Sequence, residues 1–233
     1  MAGPLDGVRV VEIGQALAGP LAGQIMADMG ADVIKVEKPD GGDDARMWGP
    51  PFSGPDSVMF HNYNRGKRSV TLDIKKAEDI DKLKALVAHA DILIQNLRPG
   101  IADECGIGPE AMIAVNPQLV YCSIWAFGYT GPMKMAPGFD PLAQCYGAVV
   151  TLTGRPDDPP TFCAPAINDT ATGMWTVIGA LAGLKDDAVE YLAMLIHLAQ
   201  FPFRFRLVAA MDRQILDEQA MPCADSKSIL AGG

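Results

Sequence analysis

The distribution of hydrophobic residues along the chain predicts an α/β fold. Short runs of aliphatic and β-branched residues, each bounded by Gly, Pro, Asp or Asn, are typical of strands buried on both faces. Because helical segments with short connections alternate with these runs, the pattern predicts a parallel sheet covered by helices. The predicted strands are Val8–Ile13, Asp32–Glu37, Asp91–Gln95 and Leu119–Ser123.

Three segments show helical spacing of apolar residues. The first is Gly19–Gly30, and the second is Lys75–Ala88, for which Asp73 is a candidate cap. The third is predicted to begin at Thr170 and to end near Leu184. Two further apolar patterns with helical spacing follow it.

Composition disfavours some classes of binding partner and indicates the cell compartment. The chain has 233 residues, of which 49% are hydrophobic, and its net charge of -9 disfavours binding to nucleic acid or to an anionic membrane. Five cysteines without a CxxC pair, and no export signal, predict free thiols in a cytoplasmic protein. The three histidines lack metal-ligand spacing, so no metal site is expected.

The first strand–helix–strand unit matches a dinucleotide-binding unit in one respect. Glu37 ends the second strand about 20 residues after a glycine turn, where an acidic residue would bind the ribose of NAD. Residues 14–20 read Gly-Gln-Ala-Leu-Ala-Gly-Pro, however, and these glycines are too far apart for a pyrophosphate turn. A structural unit without a ligand at this turn is therefore favoured over NAD binding.

Basic residues cluster in Asn64–Ser69, where Arg65, Lys67 and Arg68 precede a strand. Arginine and lysine side chains can hold phosphate oxygens. A solvated turn is the simpler interpretation of such a cluster, and the residues alone favour it.

Asp169 lies at the predicted start of the third helix, where an N-cap is the default role for aspartate. In a second interpretation, the helix N-terminus keeps this carboxylate ionised as a nucleophile. The spacing does not separate the two roles, and both can hold together. No GxSxG or P-loop motif occurs, so serine-hydrolase and nucleotide-hydrolase functions have no support.

Eight short sequence motifs, which we call words, resemble those of the class III CoA-transferase family. This family includes formyl-CoA and carnitine CoA-transferases and α-methylacyl-CoA racemase. They occur in the family's order and cover residues 5 to about 184. The words are Leu5–Ile13, Ala18–Pro20, Met29–Lys38, Gly42–Asp43, Asn64–Ser69 with Leu72–Asp73, Asn96–Gly100, Gly128–Pro132 and Gly138–Asp140.

The resemblance implies a Rossmann-like large domain and an interlocked homodimer, with CoA and acyl-CoA as substrates and no permanently bound cofactor. The matching aspartate is Asp169, which would form an aspartyl intermediate before CoA passes to a carboxylic acid acceptor. Four residues match family positions that contact CoA, and the basic cluster lies close enough to serve its phosphates. The CoA-binding residues predicted in this way are Lys38, Arg65, Lys67, Leu72, Lys75 and Asn96.

One word separates two activities within the family. Racemases of this family carry a proton-transferring histidine in a Gly-His-Asp word, whereas this chain has Gly138-Phe139-Asp140. Phenylalanine cannot transfer a proton, so CoA transfer is favoured over epimerisation.

The resemblance ends near Leu184. Residues 1–184 are therefore expected to form the N-terminal part of the large domain and 185–233 an unmatched helical tail, with the family's second domain missing. Glu104 also departs from the family, because a basic or apolar residue is usual there and a carboxylate would repel CoA phosphates. These departures leave a second hypothesis: a non-catalytic fragment that binds CoA or associates with a partner chain.

Overall fold

The computed structural model describes residues 3–155 and 157–185, with the backbone of two later strands. Eight helices and nine strands are assigned in this part of the chain. In order they are β1 (Arg9–Ile13), α1 (Ala18–Asp28), β2 (Asp32–Glu37), β3 (Phe52–Ser53), β4 (Asp56–Ser57), α2 (Val58–Asn64), β5 (Arg68–Thr71), α3 (Ala77–Val87), β6 (Ile92–Gln95), α4 (Ile101–Glu104), α5 (Pro109–Val115), β7 (Val120–Ser123), α6 (Asp140–Tyr146), α7 (Val149–Leu152), α8 (Ile167–Gly183), β8 (Leu192–Leu195) and β9 (Arg206–Ala209).

The main sheet has five parallel strands in the order β5-β2-β1-β6-β7. The chain starts at the centre, moves outward to β5, and then returns to the other side of β1 with β6. In open α/β sheets a crevice forms where the strand order reverses, outside the carboxyl ends of the strands. The predicted α/β class is confirmed, and the crevice lies between β1 and β6.

Alternate residues of the strands contribute to two hydrophobic cores, one on each face of the sheet. Val10, Val33 and Ile92 face the core beneath α1 and α8. Val11 and Leu93 point to the opposite face, where helices α3 and α5 pack. The two cores explain why both faces of the predicted strands carry apolar residues, since each strand is covered on both sides.

Several helix boundaries differ from prediction. Helix α3 begins at Ala77, and Asp73 does not cap it, because its Oδ1 accepts a hydrogen bond from the Lys75 N–H in the preceding turn. Helix α8 begins at Ile167, three residues earlier than the predicted start at Thr170. In the region predicted as a helical tail, the described backbone forms antiparallel strands β8 and β9, and the rest of that prediction lies outside the described residues.

Some features are absent from the described part of the chain. No helix there has the length and apolar character needed to cross a bilayer. No group of His, Cys, Asp and Glu side chains within it could hold a metal ion. Cys105, Cys122, Cys145 and Cys163 are free thiols, and Cys223 lies outside the described residues.

Four charged side chains are buried together beneath α1, and we call them the buried quartet: Glu12, Lys35, Asp43 and Lys67. Glu12 and Lys35 face each other in register on β1 and β2. The Lys35 Nζ lies 2.9 Å from both Glu12 Oε1 and Asp43 Oδ2, and the Lys67 Nζ lies 2.7 Å from Glu12 Oε2. Each of these side chains is at most 2% exposed, so every charge in the quartet depends on its neighbours.

Burial and neighbouring charges set the pKa values of the two lysines in the quartet, and a glycine leaves space for Glu12. Burial acts to lower the pKa of Lys35, but the charges of Glu12 and Asp43 outweigh it and raise the pKa. Burial lowers the pKa of Lys67 to about 8, because Glu12 offsets it only in part. A Cβ atom on Gly23 would lie 2.0 Å from Glu12 Oε2, so only glycine at this position of α1 admits the carboxylate.

Lys67→Ala should destabilise the protein strongly, because it leaves Glu12 with an uncompensated part of its buried charge. Removing one partner of a buried pair costs about 3–5 kcal/mol. Arg68→Ala is the matched control, because the adjacent Arg68 pairs with Asp32 at the surface, where its side chain is 65% exposed, and such pairs contribute at most about 1 kcal/mol. Urea unfolding of both variants measures the difference, and equal losses of stability would contradict the role of the quartet.

Candidate functional site

Two adjoining grooves run along the carboxyl edge of the sheet, one on each side of the turn between β1 and α1. The first groove encloses about 320 Å³ and the second about 400 Å³. Both are lined by Gln15 and Leu97, so the two grooves adjoin at these residues, and we call the pair the crevice. It lies at the switch point of the sheet, where the strand order predicts a ligand.

Five of the residues predicted to form the site line this crevice. Lys38, Leu72 and Lys75 line the first groove, and Asn96 and Asp169 line the second. They come from the ends of β2, β5 and β6 and from the start of α8. The parallel sheet brings them together, because all of its strands end at the same edge.

The other two predicted residues lie elsewhere. Arg65 forms an ion pair with Asp28 at the last residue of α1, near the amino edge of the sheet. Lys67 belongs to the buried quartet and also donates to the carbonyl of Pro20. The basic cluster runs into the start of β5, and therefore enters the sheet at the edge opposite the crevice. Its charges are occupied by protein partners.

Asp169 is the third residue of α8 and does not cap it. The cap comes from Asp140, whose Oδ2 accepts hydrogen bonds from the N–H groups of Asn168, at 2.7 Å, and Asp169, at 3.1 Å. Asp140 is 3% exposed, so this is a buried carboxylate held at a helix N-terminus. The N-cap interpretation of Asp169 is wrong, and its own carboxylate has no hydrogen bond or ion pair within the described residues.

The environment of Asp169 raises its pKa to about 6. Burial is the larger cause, because it removes water from the charged form, and the negative charge of Asp140 adds to it. At neutral pH the carboxylate is ionised but poorly solvated. A carboxylate in this state is suited to attack an electrophile.

Close packing of α8 on α1 fixes the position of Asp169. A Cβ atom on Gly173 would lie 3.0 Å from the carbonyl oxygen of Ala18 and 3.1 Å from the side chain of Leu21. Glycine therefore allows the two helices to approach each other at their N-terminal ends. Ala18 and Asp169 both line the second groove, so the N-termini of both helices open onto it.

Glu37 is not available to a dinucleotide. Arg46 binds both of its carboxylate oxygens at 2.8 Å, and Ser69 donates a further hydrogen bond at 2.6 Å. Burial alone would raise the pKa of Glu37, but the hydrogen bonds from Arg46, Ser69 and the backbone of Asp43 lower it to about 2. This acidic residue is a structural anion, which removes the feature that favoured NAD.

Three residues of the site were not predicted from the sequence. Arg98 and Trp125 line the second groove, and Asp140 holds the helix that carries Asp169. Asp140 lies in the Gly138–Asp140 word next to Phe139, the residue that differs from the racemases of the resemblance. Its contact with residues 28 and 29 positions later has no signature in local spacing.

The sequence model of CoA-transferase family III matches residues 5–223. The chain belongs to CoA-transferase family III. The match continues beyond Leu184, where the recognisable words end. It confirms the resemblance drawn from those words.

Relatives of this family III chain include CoA-transferases named for succinate and glutarate. It is 44% identical to succinate–glutarate CoA-transferase of Agrobacterium fabrum over 188 residues, which cover 78% of this chain and 47% of the relative. It is 40% identical to succinyl-CoA:glutarate CoA-transferase of Mus musculus over 181 residues, with 78% and 42% covered. The chain thus spans about half the length of the relatives it matches.

Solved structures agree with the fold of the family III chain. A CAIB/BAIF family protein from Brucella suis is 43% identical, with a TM-score of 0.81, and the match covers 85% of this chain and 54% of that one. A hypothetical protein from Mycobacterium tuberculosis is 34% identical, with a TM-score of 0.77 and coverage of 85% and 55%.

We expect Asp169 to titrate with a pKa of about 6 in the native protein. Asp140→Asn should lower this pKa by removing the neighbouring charge, while burial keeps it above the ordinary value of 3.8. Carbon-13 NMR of labelled aspartate measures both values, and Asp169→Asn assigns the signal. An unchanged pKa in Asp140→Asn would contradict the electrostatic coupling.

The raised pKa also makes stability depend on pH. Because the native pKa of Asp169 exceeds the unfolded one, the stability contributed by Asp169 is full below about pH 4 and is lost as pH rises through 6.

Proposed function

We propose that this chain is a CoA-transferase that moves CoA from an acyl-CoA donor to a carboxylic acid acceptor through a covalent intermediate on Asp169. The observation that carries the proposal is the carboxylate of Asp169. It is half-buried, has a raised pKa, and lines the second groove, which adjoins the lysine-containing first groove at Gln15. Membership in CoA-transferase family III supports the same chemistry.

The first groove fits the phosphate-bearing end of CoA. Lys75 is exposed and has no ion pair within the described residues, so its ammonium is free to bind a phosphate. Lys38 pairs with Asp44 at the surface and can exchange this carboxylate for a phosphate at little cost. Leu72 is buried in the wall of the same groove and offers an apolar contact. The pantetheine arm would pass Gln15 and Leu97 into the second groove and bring the thioester to Asp169.

The transfer divides one exchange into several displacements. Asp169 attacks the donor acyl carbon, an anhydride bond forms, and CoA leaves as a thiolate. The thiolate attacks the carbonyl carbon of Asp169 and releases the donor acid, which leaves an aspartyl–CoA thioester. The acceptor carboxylate attacks this thioester and expels CoA, and the thiolate then attacks the acceptor acyl carbon and frees Asp169. No co-reactant is needed, because every bond broken is replaced.

The N-termini of α1 and α8 support the charged steps. Negative charge develops on carbonyl oxygens during each attack, and the positive end of a helix dipole stabilises such charge. Asp140 already occupies two N–H groups of α8. The remaining stabilisation would therefore come mainly from the start of α1, where Leu17 provides no side-chain cap.

We further propose a dicarboxylic acid as acceptor. The relatives are named for succinate, glutarate, D-citramalate and similar acids. Arg98 lines the second groove with Asp169, and its guanidinium has no hydrogen bond or ion pair within the described residues. Arginine binds carboxylates through paired hydrogen bonds, so Arg98 is placed to receive the second carboxylate. We also propose that the chain forms an interlocked homodimer and that it is cytoplasmic.

A non-catalytic CoA-binding chain is the second candidate, and one observation favours it. Large apolar side chains are exposed, among them Phe139 of the second groove at 66%, Leu152 at 83% and Phe162 at 53%. Exposed apolar groups of this size are typical of surfaces that contact another protein segment. Racemisation has less support, because Phe139 lines the groove where the racemases of the resemblance carry histidine.

Incubation with succinyl-CoA should produce a CoA or succinyl adduct on Asp169, visible in the intact mass and located by peptide mapping. Adduct formation should slow as pH falls below about 6, because the protonated carboxyl is not a nucleophile. Asp169→Ala should form no adduct and should retain CoA binding, since the first groove is untouched. CoA binding without any adduct in the unmodified chain would reject the transferase and support the binding chain.

Lys75→Ala should weaken the binding of CoA about fivefold, the effect of losing ~1 kcal/mol of exposed charge pairing. Lys82→Ala is the matched control, because Lys82 is also exposed and neither it nor its partner Asp79 lines the groove. Titration calorimetry at two salt concentrations measures both variants. Equal effects of the two substitutions would contradict the proposed orientation of CoA.

A further inference from the structure

The turn between β1 and α1 separates the two grooves and is held in an unfavourable conformation. Gln15 lines both grooves, and Ala16 and Leu17 line the second. Ala16 has a φ angle of +64°, in the left-handed region that side chains other than glycine disfavour. A strained residue of this kind persists only where its surroundings enforce it.

The side chain of Asn96 enforces this conformation from one side. Its Oδ1 accepts a hydrogen bond from the Gln15 N–H at 2.9 Å, and its Nδ2 donates to the Gln15 carbonyl at 2.8 Å. Asn96 follows β6 directly, and β6 pairs with β1 up to the pair of Ile13 and Gln95. The amide therefore meets the main chain of Gln15 at the point where the two strands separate.

The buried quartet enforces the conformation from the other side. Asp43 Oδ1 accepts a hydrogen bond from the Ala16 N–H at 3.0 Å. Lys35 donates to the Gly14 carbonyl at 2.7 Å. Four hydrogen bonds thus fix three consecutive residues of the turn, and two of the four come from Asn96.

We propose that Asn96 is a positioning residue that acts through the Gln15–Ala16 turn, together with Asp43. Both polar atoms of its side chain are bonded to the main chain of Gln15, which is the part of the protein that borders both grooves. The role in catalysis rests on the proposed function, whereas the clamp on the turn does not. It gives a positioning role to a residue that the family resemblance places in contact with CoA.

The test follows the amide hydrogens of the turn by NMR-detected hydrogen exchange in the full chain. Asn96→Ala should increase exchange at Gln15 at least about fivefold, because a hydrogen bond is lost. Exchange at Ala16 should rise as well, although its bond to Asp43 is not altered directly, because the turn relaxes. Asn116→Ala is the matched control, since Asn116 also gives two hydrogen bonds to main-chain carbonyls, those of Val87 and Ala90, away from the crevice. It should leave both amides of the turn unchanged.

Glycine at position 16 distinguishes positioning from a general loss of structure. Because glycine adopts positive φ without a penalty, Ala16→Gly combined with Asn96→Ala should restore much of the protection at residue 16. Unchanged exchange in Asn96→Ala would overturn the clamp, and so would a double variant that exchanges as fast as Asn96→Ala.

Two further measurements test the functional role of Asn96: the affinity for CoA, and turnover with succinyl-CoA and glutarate. Asn96→Ala should lower kcat at least about fivefold with less than a twofold change in the Kd of CoA, and Ala16→Gly should recover part of the kcat. A larger loss of affinity that glycine does not recover would overturn the proposal in favour of direct contact. If the unmodified chain neither binds CoA nor turns over, the proposed function fails, and the exchange data still decide whether Asn96 holds the turn.

Discussion

The ammonium of Lys35 is the interaction on which the crevice depends. It contacts Glu12 of β1 and Asp43 of the loop after β2, both at 2.9 Å, and the carbonyl of Gly14 at 2.7 Å. The end of β1, strand β2 and the loop after β2 therefore meet at one buried charge. Without it, Glu12 would keep only Lys67, and Asp43 would be a buried anion without a cation, which proteins rarely tolerate. The charge balance beneath α1 thereby sets where the floor of the crevice lies.

Because buried charges hold the floor of the crevice, side chains at its rim are available to contact a substrate. Asp43 uses its second oxygen to hold the turn, and Asn96 holds the same turn from β6, so Gln15 has a fixed position between the grooves. Helix α8 is fixed independently, by its close contact with α1 at Gly173 and by the Asp140 cap. Other residues already satisfy the end of this helix, and Asp169 has no partner of its own within the described residues.

The sequence predicted four of the five strands of the main sheet well, because these strands follow from local patterns. Apolar runs bounded by turn residues determine the strands, and alternation with helices determines that their carboxyl ends coincide. The use of each charge was less predictable. Lys67 and Arg68 are adjacent in sequence, yet one is buried against Glu12 and the other pairs with Asp32 at the surface. Likewise, an acid before a helix is the usual cap, but the cap of α8 comes from Asp140. Partners many residues apart decide these roles, and spacing does not reveal them.

The same topology serves nucleotide enzymes, so the fold alone does not choose the ligand. The choice follows from which charges are already neutralised inside the protein. Glu37, at the place where a ribose-binding acid would stand, is bound by Arg46 and Ser69 and is unavailable. Asp169 is in the opposite state, since burial and Asp140 raise its pKa to about 6 while nothing in the described structure neutralises it. Glu37 is bound within the protein while Asp169 stays poorly solvated, and this contrast supports the proposed covalent acyl chemistry over the binding of a dinucleotide.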